Sequence, residues 1–369
     1  MTRGLPSIGD VVMTTEAPLG EVGQILSLPV ALAQRIVTLR GKPHLLDNDY
    51  LLYLLQDEAL QEQLKGRSSG TTVVGIKQSE LRKVLLHLPP VQLQREVASS
   101  LKALDQRIDL LRQTNATLES IAQALFKSWF IDFDPVRAKA EGREPEGMDA
   151  AAAALFPAEF EESALGLTPN GWTVRSLDSF ATYLNGLALQ KYPAEREDEY
   201  LPVIKIAQLR AGHTNGSDRA SARLKPEYIV RDGDVLFSWS GSLEVEFWCG
   251  GEGALNQHLF KVTSSEVPKW FYYLSTRYFL PGFREIAAHK ATTMGHIQRV
   301  HLTESRLALP PASVMRALST VVGPLLERRI NGALQARELA AVRDSLLPRL
   351  ISGKLRLPEA QEHVQDALA

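Results

Sequence analysis

Side chains that commonly carry out catalysis are scattered along this chain of 369 residues and match no familiar catalytic spacing. The sequence has no Gly-x-x-x-x-Gly-Lys-Ser/Thr loop to cradle phosphates and no His-Glu-x-x-His helix to bind zinc. No acidic residue stands two positions before a lysine, so the acidic-x-Lys end of a common nuclease site is missing. The two closest of the eight histidines, His296 and His301, are five residues apart, which does not place two ligands on one helical face. The pattern predicts a binding protein and not an enzyme.

The overall composition is that of an ordinary globular protein with almost balanced charge. Lys and Arg number 41 and Asp and Glu number 43, so the net charge of -2 excludes a strongly basic chain but not a local basic face. Cys249 is the single cysteine, which excludes an internal disulfide framework and is typical of the reducing cytoplasm. Because no run of 18 apolar residues is present and no apolar stretch follows Met1, we expect neither a membrane span nor a secretory signal.

Short motifs recur along the chain, in the same order, at a separation of about 221 residues. GDVVM at 9–13 recurs as GDVLF at 233–237, LAQR at 32–35 as LNQH at 255–258, TTVVGI at 71–76 as TTMGHI at 292–297, and LPP at 88–90 as LPP at 309–311. One match alone would be weak, but matches that keep their order over most of the chain indicate a duplicated unit. Each copy is followed by a helical run after its Pro-Pro pair.

Each copy is predicted to be a globular α/β part followed by a long helix. Residues 201–206 and 234–239 favour strands, and residues 270–274 favour a helix, as do their first-copy counterparts at 50–55. Only eight residues precede the first Gly-Asp, whereas about 60 globular residues precede the second, so we expect the first unit to lack an N-terminal half and to expose core surface. The predicted division is a partial globular unit at 1–90, a helix at 91–134, a linker at 135–170, a second globular unit at 171–309, a second helix at 310–356 and a tail at 357–369.

The segment after the first Pro-Pro carries apolar residues at the four-three spacing that is typical of a coiled-coil seam. Its seam positions are Val97, Leu101, Leu104, Ile108, Leu111, Asn115, Leu118, Ala122, Leu125 and Trp129. We expect one helix from Gln92 to Phe130, about 58 Å long, which ends near the Asp-Pro pair at 134–135. Asn115 is expected to fix the register, since a buried polar residue penalises other alignments. A narrow seam needs a partner helix, and packing on the helix's own globular unit is the alternative.

The second copy's helix, predicted from Ala312 to about Lys354, is the expected partner. Its seam residues are Leu339, Val342, Leu346 and Leu350. The seam is weaker in the middle, where Arg329, Gly332 and Arg343 stand. Pro324 and Pro348 are expected to interrupt this helix, because proline lacks the N–H that a helix interior uses.

Four segments resemble type I restriction–modification specificity subunits, and the resemblance covers essentially the whole chain. They are LESIAQALFKSWFIDFDPV at 118–136, GDVVMTTEAPLG at 9–20, GIKQSEL at 75–81 and LLPRLISGKL at 346–355. The resemblance implies an α/β (α+β) fold in which two tandem-repeat target-recognition domains are joined by two long helices that form an antiparallel coiled coil. It also implies that each domain reads one half of a bipartite DNA site and that the helices set the spacing between the halves. The first recognition domain of this chain would be truncated at its N-terminus.

The resemblance further implies partners that carry the chemistry. Type I methyltransferase subunits dock on the helices and methylate adenine in double-stranded DNA, and restriction subunits add ATP-driven translocation and cleavage. The specificity subunit needs no cofactor of its own, so S-adenosylmethionine, ATP and Mg are expected on the partner subunits. Removal of the target base from the stack also belongs to the methyltransferase. We therefore expect a cytoplasmic, non-catalytic chain without membrane contact.

The residues that contact DNA are expected in loops that follow strands of the second unit. The candidates are Gln190, Lys191, Tyr192, Lys205, Gln208, Arg210, Ser238, Ser240, Ser242, His289, Lys290, Thr292, Thr293 and His296. Polar side chains at such positions suit base edges and phosphate oxygens. Residues shared by both copies, such as Thr292 and Thr293, favour fold or backbone contacts, whereas unshared residues favour specificity, because two heads should read different sequences. Trp239 and Trp248 are expected in the core more than stacked on a base.

Three interpretations follow from these observations. The first is a DNA specificity subunit, the second is a decayed or half-functional scaffold in which only the second recognition domain is active, and the third is a coiled-coil interaction protein without DNA binding. Between residues 171 and 311 the chain has 16 basic and 15 acidic residues, so its attraction to phosphate should be modest. The first interpretation therefore requires the partner subunits to supply much of the grip on the DNA backbone.

Overall fold

The computed structural model of the chain describes residues 5–70, 73–289 and 295–368. The chain divides into two compact units: a first unit of residues 1–110 with 336–369, and a second unit of residues 111–335. Helices and sheets are present in both units, which confirms the predicted α/β class. None of the helices in these described ranges is long and apolar enough to cross a membrane.

The secondary-structure elements are numbered here in chain order. The first nine are β1 (Val11–Thr15), β2 (Leu19–Gln24), β3 (Ile36–Leu39), α1 (Asn48–Gln56), α2 (Glu58–Gly66), α3 (Gln78–Leu81), α4 (Val91–Phe130), α5 (Asp134–Ala140) and α6 (Ala150–Ala154). Then come β4 (Phe160–Ser163), β5 (Gly166–Pro169), β6 (Thr173–Ser176), α7 (Leu177–Phe180), β7 (Thr182–Asn185), β8 (Tyr200–Ile204), α8 (Ile206–Ala211), β9 (Arg219–Ser221), β10 (Ile229–Val230), β11 (Val235–Ser238) and β12 (Val245–Phe247). The last are β13 (Gly253–Leu255), β14 (Leu259–Thr263), α9 (Lys269–His289), α10 (Arg299–Glu304), β15 (Arg306–Leu309), α11 (Ala312–Ile351) and α12 (Leu357–Leu368).

The first unit is built on a three-stranded antiparallel sheet in the order β2-β1-β3. Val11 and Met13 alternate along the central strand and are fully buried. Helix α1 confirms the helix predicted at 50–55, and Asp47 caps its N-terminus by accepting hydrogen bonds from the first turn. The buried side chain of Gln94, in α4, accepts a hydrogen bond from Asp47 N (2.9 Å). This contact fastens the first turns of α4 to the sheet-covering helix.

The second unit holds two four-stranded sheets and a large aromatic core. One sheet has the antiparallel order β12-β11-β14-β7, and the other has the order β10-β13-β8-β9, in which β13 and β8 are parallel. Strand β11 is buried along its whole length, and helix α9 buries Trp270, Phe271 and Tyr273. These elements confirm the strand predicted at 234–239 and the helix predicted at 270–274. The strand predicted at 201–206 is shorter than expected, because α8 begins at Ile206.

The duplication predicted from the sequence is visible in the hydrogen bonds of the two units. Gly9 N donates to Ile25 O (2.8 Å), and Gly233 N, at the matching position, donates to Trp248 O (2.7 Å). The aspartate after each glycine accepts a hydrogen bond at Oδ2 from the backbone N–H three residues earlier, at 2.8 Å in both units. Strands β1, β2 and β3 therefore correspond to β11, β12 and β14.

The second unit has strands that are not matched in the first. Among the described residues of the first unit, none forms a counterpart of β7, β8, β9 or β10. Val30 stands at the position of Gly253 in the buried strand β13, yet Leu26, Leu28 and Val30 are all exposed. This segment of the first unit therefore exposes apolar surface, as expected for a unit without those strands.

Helix α4 confirms the predicted long helix, and most of its predicted seam positions are buried. The seam residues that are buried are Val97, Leu101, Leu104, Ile108, Leu111, Ala122 and Trp129. Leu118 and Leu125 are only partly buried, and Leu125 packs against the core of the second unit. Burial extends to Phe126 and Phe130, because their rings join the aromatic core of the second unit. The second half of α4 packs on a globular unit as well as beside a helix, which gives it the wider buried face.

Helix α11 begins at Ala312 as predicted, and it is continuous to Ile351. Leu339, Leu346 and Leu350 are buried, whereas Val342 is only partly buried. The expectation that Pro324 and Pro348 interrupt the helix was wrong. Both prolines lie on the exposed face, where water can hydrogen-bond the carbonyl that a proline leaves unpaired and the helix can bend outward.

In the second unit, α4 and α11 run antiparallel and approach each other closely. Glu119 of α4 pairs with Arg329 of α11 (2.8 Å), while Asn115, earlier in α4, meets Gly332, later in α11. A Cβ atom on Gly332 would lie 2.5 Å from Asn115 Oδ1. The glycine therefore permits this approach at the residue that the sequence predicted to fix the helix register.

The segment predicted as a linker is packed secondary structure. It forms α5, α6 and the β4–β5 hairpin, and Val136 and Phe156 are buried in the core of the second unit. Helix α4 ends at Phe130, and Phe133 adopts the left-handed conformation (φ 55°), which turns the chain into α5. Proline and alanine content indicated a linker, but the segment packs on the core through Val136, Phe156 and further apolar residues such as Leu155 and Phe160. The predicted tail likewise forms α12, with Ala360 and Val364 buried.

Candidate nucleic-acid interface

Polar and aromatic side chains cluster where β11 ends in the second unit. Trp239 Nε1 donates to Asn185 Oδ1 (2.9 Å) and to Gln257 O (3.2 Å), so the indole is held in one orientation. Ser240 Oγ lies 3.0 Å from His258 Nδ1, and the rings of His258 and His296 contact the Trp239 ring at centroid distances of 5.9 and 6.3 Å. Trp239 is only partly buried, whereas the sequence predicted a core residue. We call Trp239, Ser240, His258 and His296 the second tip.

The three serines predicted beside Trp239 occupy different environments. Ser238 is fully buried, and its hydroxyl donates to Ser242 O (2.7 Å) and accepts from Glu244 N (2.7 Å). This hydroxyl closes the β11–β12 turn, so Ser238 is withdrawn from the candidate contacts. Ser240 is also buried and belongs to the second tip, whereas Ser242 is exposed at the turn. Trp248 is buried, as predicted for a core residue.

A second group of predicted residues lies on the exposed segments on either side of β8. Gln190, Lys191 and Tyr192 are all exposed, the first two of them in a one-turn 3-10 helix. Gln208 Oε1 accepts a hydrogen bond from Lys205 N (3.2 Å), which caps the start of α8. Gln208 therefore has a local structural role.

The remaining residues of this group differ in their charge environment. Lys205 forms an ion pair with Asp218, so its charge is already compensated. Arg210, in the last turn of α8, is exposed. Of the two basic side chains, Arg210 is therefore the better candidate for a phosphate contact.

The predicted stretch from His289 to His296 is described only at its ends. His289 is the last residue of α9 and is exposed, and His296 forms an isolated bridge with Ser240. Lys290, Thr292 and Thr293 lie outside the described residues. Within the described part of the chain, no group of three His, Cys, Asp or Glu residues is arranged to hold a metal ion.

Sequence reasoning missed a polar cavity on the edge of the β10-β13-β8-β9 sheet. The cavity has a volume of about 500 Å³. It is lined by Tyr200, Pro202, Thr214, Asn215, Gly216, Ser217 and Arg219. The Arg219 guanidinium lies 4.4 Å from the centroid of the Tyr200 ring, which orients the cation over an exposed aromatic face. The only sequence signal was the turn-forming Asn215-Gly216 pair, because strand pairing and not spacing brings Tyr200 to Arg219.

An ion cluster with Glu119 and Arg329 at its enclosed centre joins the globular part of the second unit to its two helix segments. Glu119 accepts a hydrogen bond from the Tyr273 hydroxyl (2.9 Å) and pairs with Arg277 (3.0 Å) and Arg329 (2.8 Å). Glu246 of β12 pairs with the same two arginines, at 2.9 and 2.6 Å. Burial by itself would lower the pKa of Arg329. The neighbouring Tyr273, Glu119 and Glu246 outweigh burial and raise this pKa above the ordinary value. Burial likewise raises the pKa of Tyr273 well above its usual range. The cluster ties the globular part of the second unit to its helix segments.

The sequence is similar to those of known proteins over most of its length. Residues 4–120 match the family model of the type I restriction modification DNA specificity domain. The chain is 27% identical over 362 residues to the type I restriction enzyme MjaIX specificity subunit of Methanocaldococcus jannaschii, covering 95% of this chain and 78% of the relative. It is 24% identical over 359 residues to the HindI specificity subunit of Haemophilus influenzae, covering 83% of this chain and 77% of the relative.

Solved structures of specificity subunits were also found. The S subunit of a type I restriction-modification system from M. genitalium matches with a TM-score of 0.48 at 14% identity, covering 94% of this chain and 84% of that chain. The HsdS subunit from Thermoanaerobacter tengcongensis matches with a TM-score of 0.34 at 18% identity, covering 95% and 82%.

The names of the curated relatives bear on the predicted role. Both are called specificity subunits of type I restriction enzymes, the class of protein that the sequence segments resemble. The family model and these relatives support the resemblance that four sequence segments predicted. The chain is therefore similar to type I restriction–modification specificity subunits, over residues 4–120 in the family model and over most of its length in the two relatives.

Proposed function

We propose that this chain reads a bipartite DNA site and directs adenine methylation by partner methyltransferase subunits. One observation carries the proposal: the chain holds two copies of one backbone framework, and the side chains at the matched strand ends differ between the copies. Two heads that share a fold but differ in their surface chemistry suit the reading of two different half-sites. The reaction, with its S-adenosylmethionine, belongs to the methyltransferase, and ATP and Mg belong to a restriction subunit where one is present.

We assign most of the binding to DNA phosphates to the partner subunits. The globular part of the second unit is nearly neutral, with 16 basic and 15 acidic residues between 171 and 311. Phosphate neutralisation by lysine and arginine is the source of salt-dependent affinity. We therefore expect the isolated chain to bind DNA with a shallow salt dependence and the complex with methyltransferase subunits to bind with a steep one.

The test is co-expression with a cognate methyltransferase subunit, followed by sequencing that maps methylated adenines across the genome. A bipartite methylated motif that requires this chain is the expected result. A motif with a single defined half would favour the half-functional scaffold. A stable complex that methylates no motif would contradict the proposal.

A further inference from the structure

The first unit contains a strand end that matches the second tip hydrogen bond by hydrogen bond. Thr15 N donates to Arg35 O (2.8 Å), as Trp239 N approaches His258 O (3.4 Å) in the second unit. Thr15 O accepts from Ile76 N (2.9 Å), as Trp239 O accepts from Ile297 N (3.0 Å). The isolated bridges between residues 16 and 75 and between residues 240 and 296 also correspond. We call Thr15, Glu16, Arg35 and Gly75 the first tip.

The side chains on this shared framework differ completely between the two tips. Glu16 stands where the second tip has Ser240, and Arg35 stands where it has His258. Arg35 Nε lies 2.7 Å from Glu16 Oε1, and the two side chains are 61% and 35% exposed. In the second tip the corresponding pair is a neutral serine and a histidine beside a tryptophan. The first tip therefore presents an accessible charged pair where the second presents an aromatic, less charged surface.

The small residue at position 75 keeps this pair open. A Cβ atom on Gly75 would lie 3.0 Å from Glu16 Cβ and 3.2 Å from Thr15 O, so a side chain there would crowd the carboxylate. In the second tip the matching position holds His296, whose ring contacts Trp239. Because this position holds a glycine in the first tip and a histidine in the second, the two tips offer different chemical groups to a ligand.

We propose that Glu16 and Arg35 determine one position of the first half-site by reading a G·C base pair. Arginine makes bidentate hydrogen bonds to guanine O6 and N7, and a glutamate accepts a hydrogen bond from cytosine N4, so the two groups match the two bases of one pair. The closest approach of the ion pair uses the arginine Nε, and the guanidinium has four further N–H donors. The carboxylate orients the guanidinium before DNA arrives. This inference rests on the proposed function of the chain as a DNA-reading subunit.

The test compares Arg35→Ala with the wild-type chain, each in complex with the methyltransferase subunit, by mapping methylated adenines. We expect Arg35→Ala to relax or lose one G·C position, with discrimination reduced about tenfold or more, while the second half-site stays unchanged. Lys83→Ala is the matched control, because Lys83 and Glu80 form an ion pair of the same length, 2.7 Å, with similar exposures of 59% and 34%. The control should leave the motif intact.

A charge exchange separates reading from a merely structural ion pair. The double variant Glu16→Arg with Arg35→Glu restores the ion pair, so a structural role predicts a wild-type motif. The reading role predicts that the exchange leaves the G·C position relaxed or altered. An unchanged motif in Arg35→Ala, when the wild-type chain gives a bipartite motif, overturns this inference and leaves the proposed function intact. A wild-type complex without any motif overturns both.

Discussion

In each unit a tyrosine hydroxyl of the globular part donates a hydrogen bond to a carboxylate on α4. The same carboxylate forms an ion pair with an arginine on α11. In the first unit, the Tyr53 hydroxyl donates to Asp105 (2.7 Å), and Arg343 pairs with Asp105 (2.7 Å). In the second unit, Tyr273 and Arg329 make the same contacts to Glu119. The chemistry is alike, but the environments differ. The side chains of Asp105 and Arg343 are 30% and 27% exposed, whereas those of Glu119 and Arg329 are 9% and 15% exposed.

The two environments determine how much the stability of each unit depends on a single charged side chain. A partly exposed ion pair contributes little, because water screens the charges and solvates each partner when the other is removed. In the second unit only the central pair, Glu119 and Arg329, is that well enclosed, while Arg277 and Glu246 are 25% and 29% exposed. Removing a member of the central pair leaves its partner's charge uncompensated where water has little access, which is strongly destabilising. The second unit should therefore depend on its cluster far more than the first unit depends on Asp105.

The largest effect is expected from Glu119→Gln. This change leaves Arg277 and Arg329 with Glu246 alone, so the cluster gains a net positive charge. We expect the free energy of unfolding to fall by about 3–5 kcal/mol. Urea unfolding followed by tryptophan fluorescence measures it. Glu62→Gln, which breaks the exposed ion pair with Lys65, is the control and should change the stability by less than about 0.5 kcal/mol. Equal losses for the two variants would refute the comparison.

The next largest effect is expected where the two helices of the second unit approach. Gly332→Leu drives a side chain into Asn115, and overpacking of this kind costs about 1–3 kcal/mol. Gly323→Leu, in the same helix, meets no atom within 4 Å and should stabilise by up to about 1 kcal/mol through helix propensity. Adding Asn115→Ala to Gly332→Leu should recover part of the loss, as thermal unfolding would report. Without such recovery, Asn115 is not the residue that limits the approach.

Alkaline pH gives a third test of both contacts. Burial, aided by the carboxylate partner, raises the pKa of Tyr53 and Tyr273 above the ordinary value of about 10. Stability from these hydroxyls is fully present below about pH 10 and is lost as the pH rises toward the folded-state pKa, because the unfolded chain releases its protons first. Unfolding free energies measured between pH 8 and 11 should therefore fall for the wild type. The fall should be shallower in Tyr273→Phe, and an unchanged slope would argue against a buried, protonated Tyr273.

The smallest effect is expected from Asp105→Asn. The amide still accepts from Tyr53, and Arg343 keeps its exposed partner Asp344 at 2.6 Å. We expect a loss of at most about 1 kcal/mol, measured by urea unfolding beside Glu119→Gln. The loss should shrink further in high salt, since partly exposed pairs are screened. A loss as large as that of Glu119→Gln would remove the distinction between the two contacts.

Helix α4 illustrates how far sequence patterns reach. The four-three spacing predicted its length and the buried positions from Val97 to Leu111 correctly. It did not predict the burial of Phe126 and Phe130, because their rings pack against a ring that comes from α9, more than 140 residues later in the chain. A repeat of apolar residues records which positions are apolar, but it does not record which distant surface they will meet.

The candidate nucleic-acid interface also combines features that the sequence predicted with features that only the fold created. The repeated motifs located both strand ends, so the framework of each tip was available from the sequence. The ion pair of Glu16 with Arg35 and the stacking of Arg219 on Tyr200 were not, because strand pairing brings these residues together from 19 positions apart in each case. Ser238 was misjudged for the opposite reason, since its polarity suggested a contact while its hydroxyl closes a turn.

The sequence by itself determined the duplication, the two long helices, the lack of catalytic spacing and the resemblance to specificity subunits. These features depend on residue order and local periodicity, which a chain carries whether or not it is folded. Only the tertiary structure decided that the proline-containing helix stays continuous, that the linker-like segment packs on the core and that Glu119 is enclosed by two arginines. Those outcomes depend on burial, and burial is set by residues that are far apart in sequence and meet only in the folded protein.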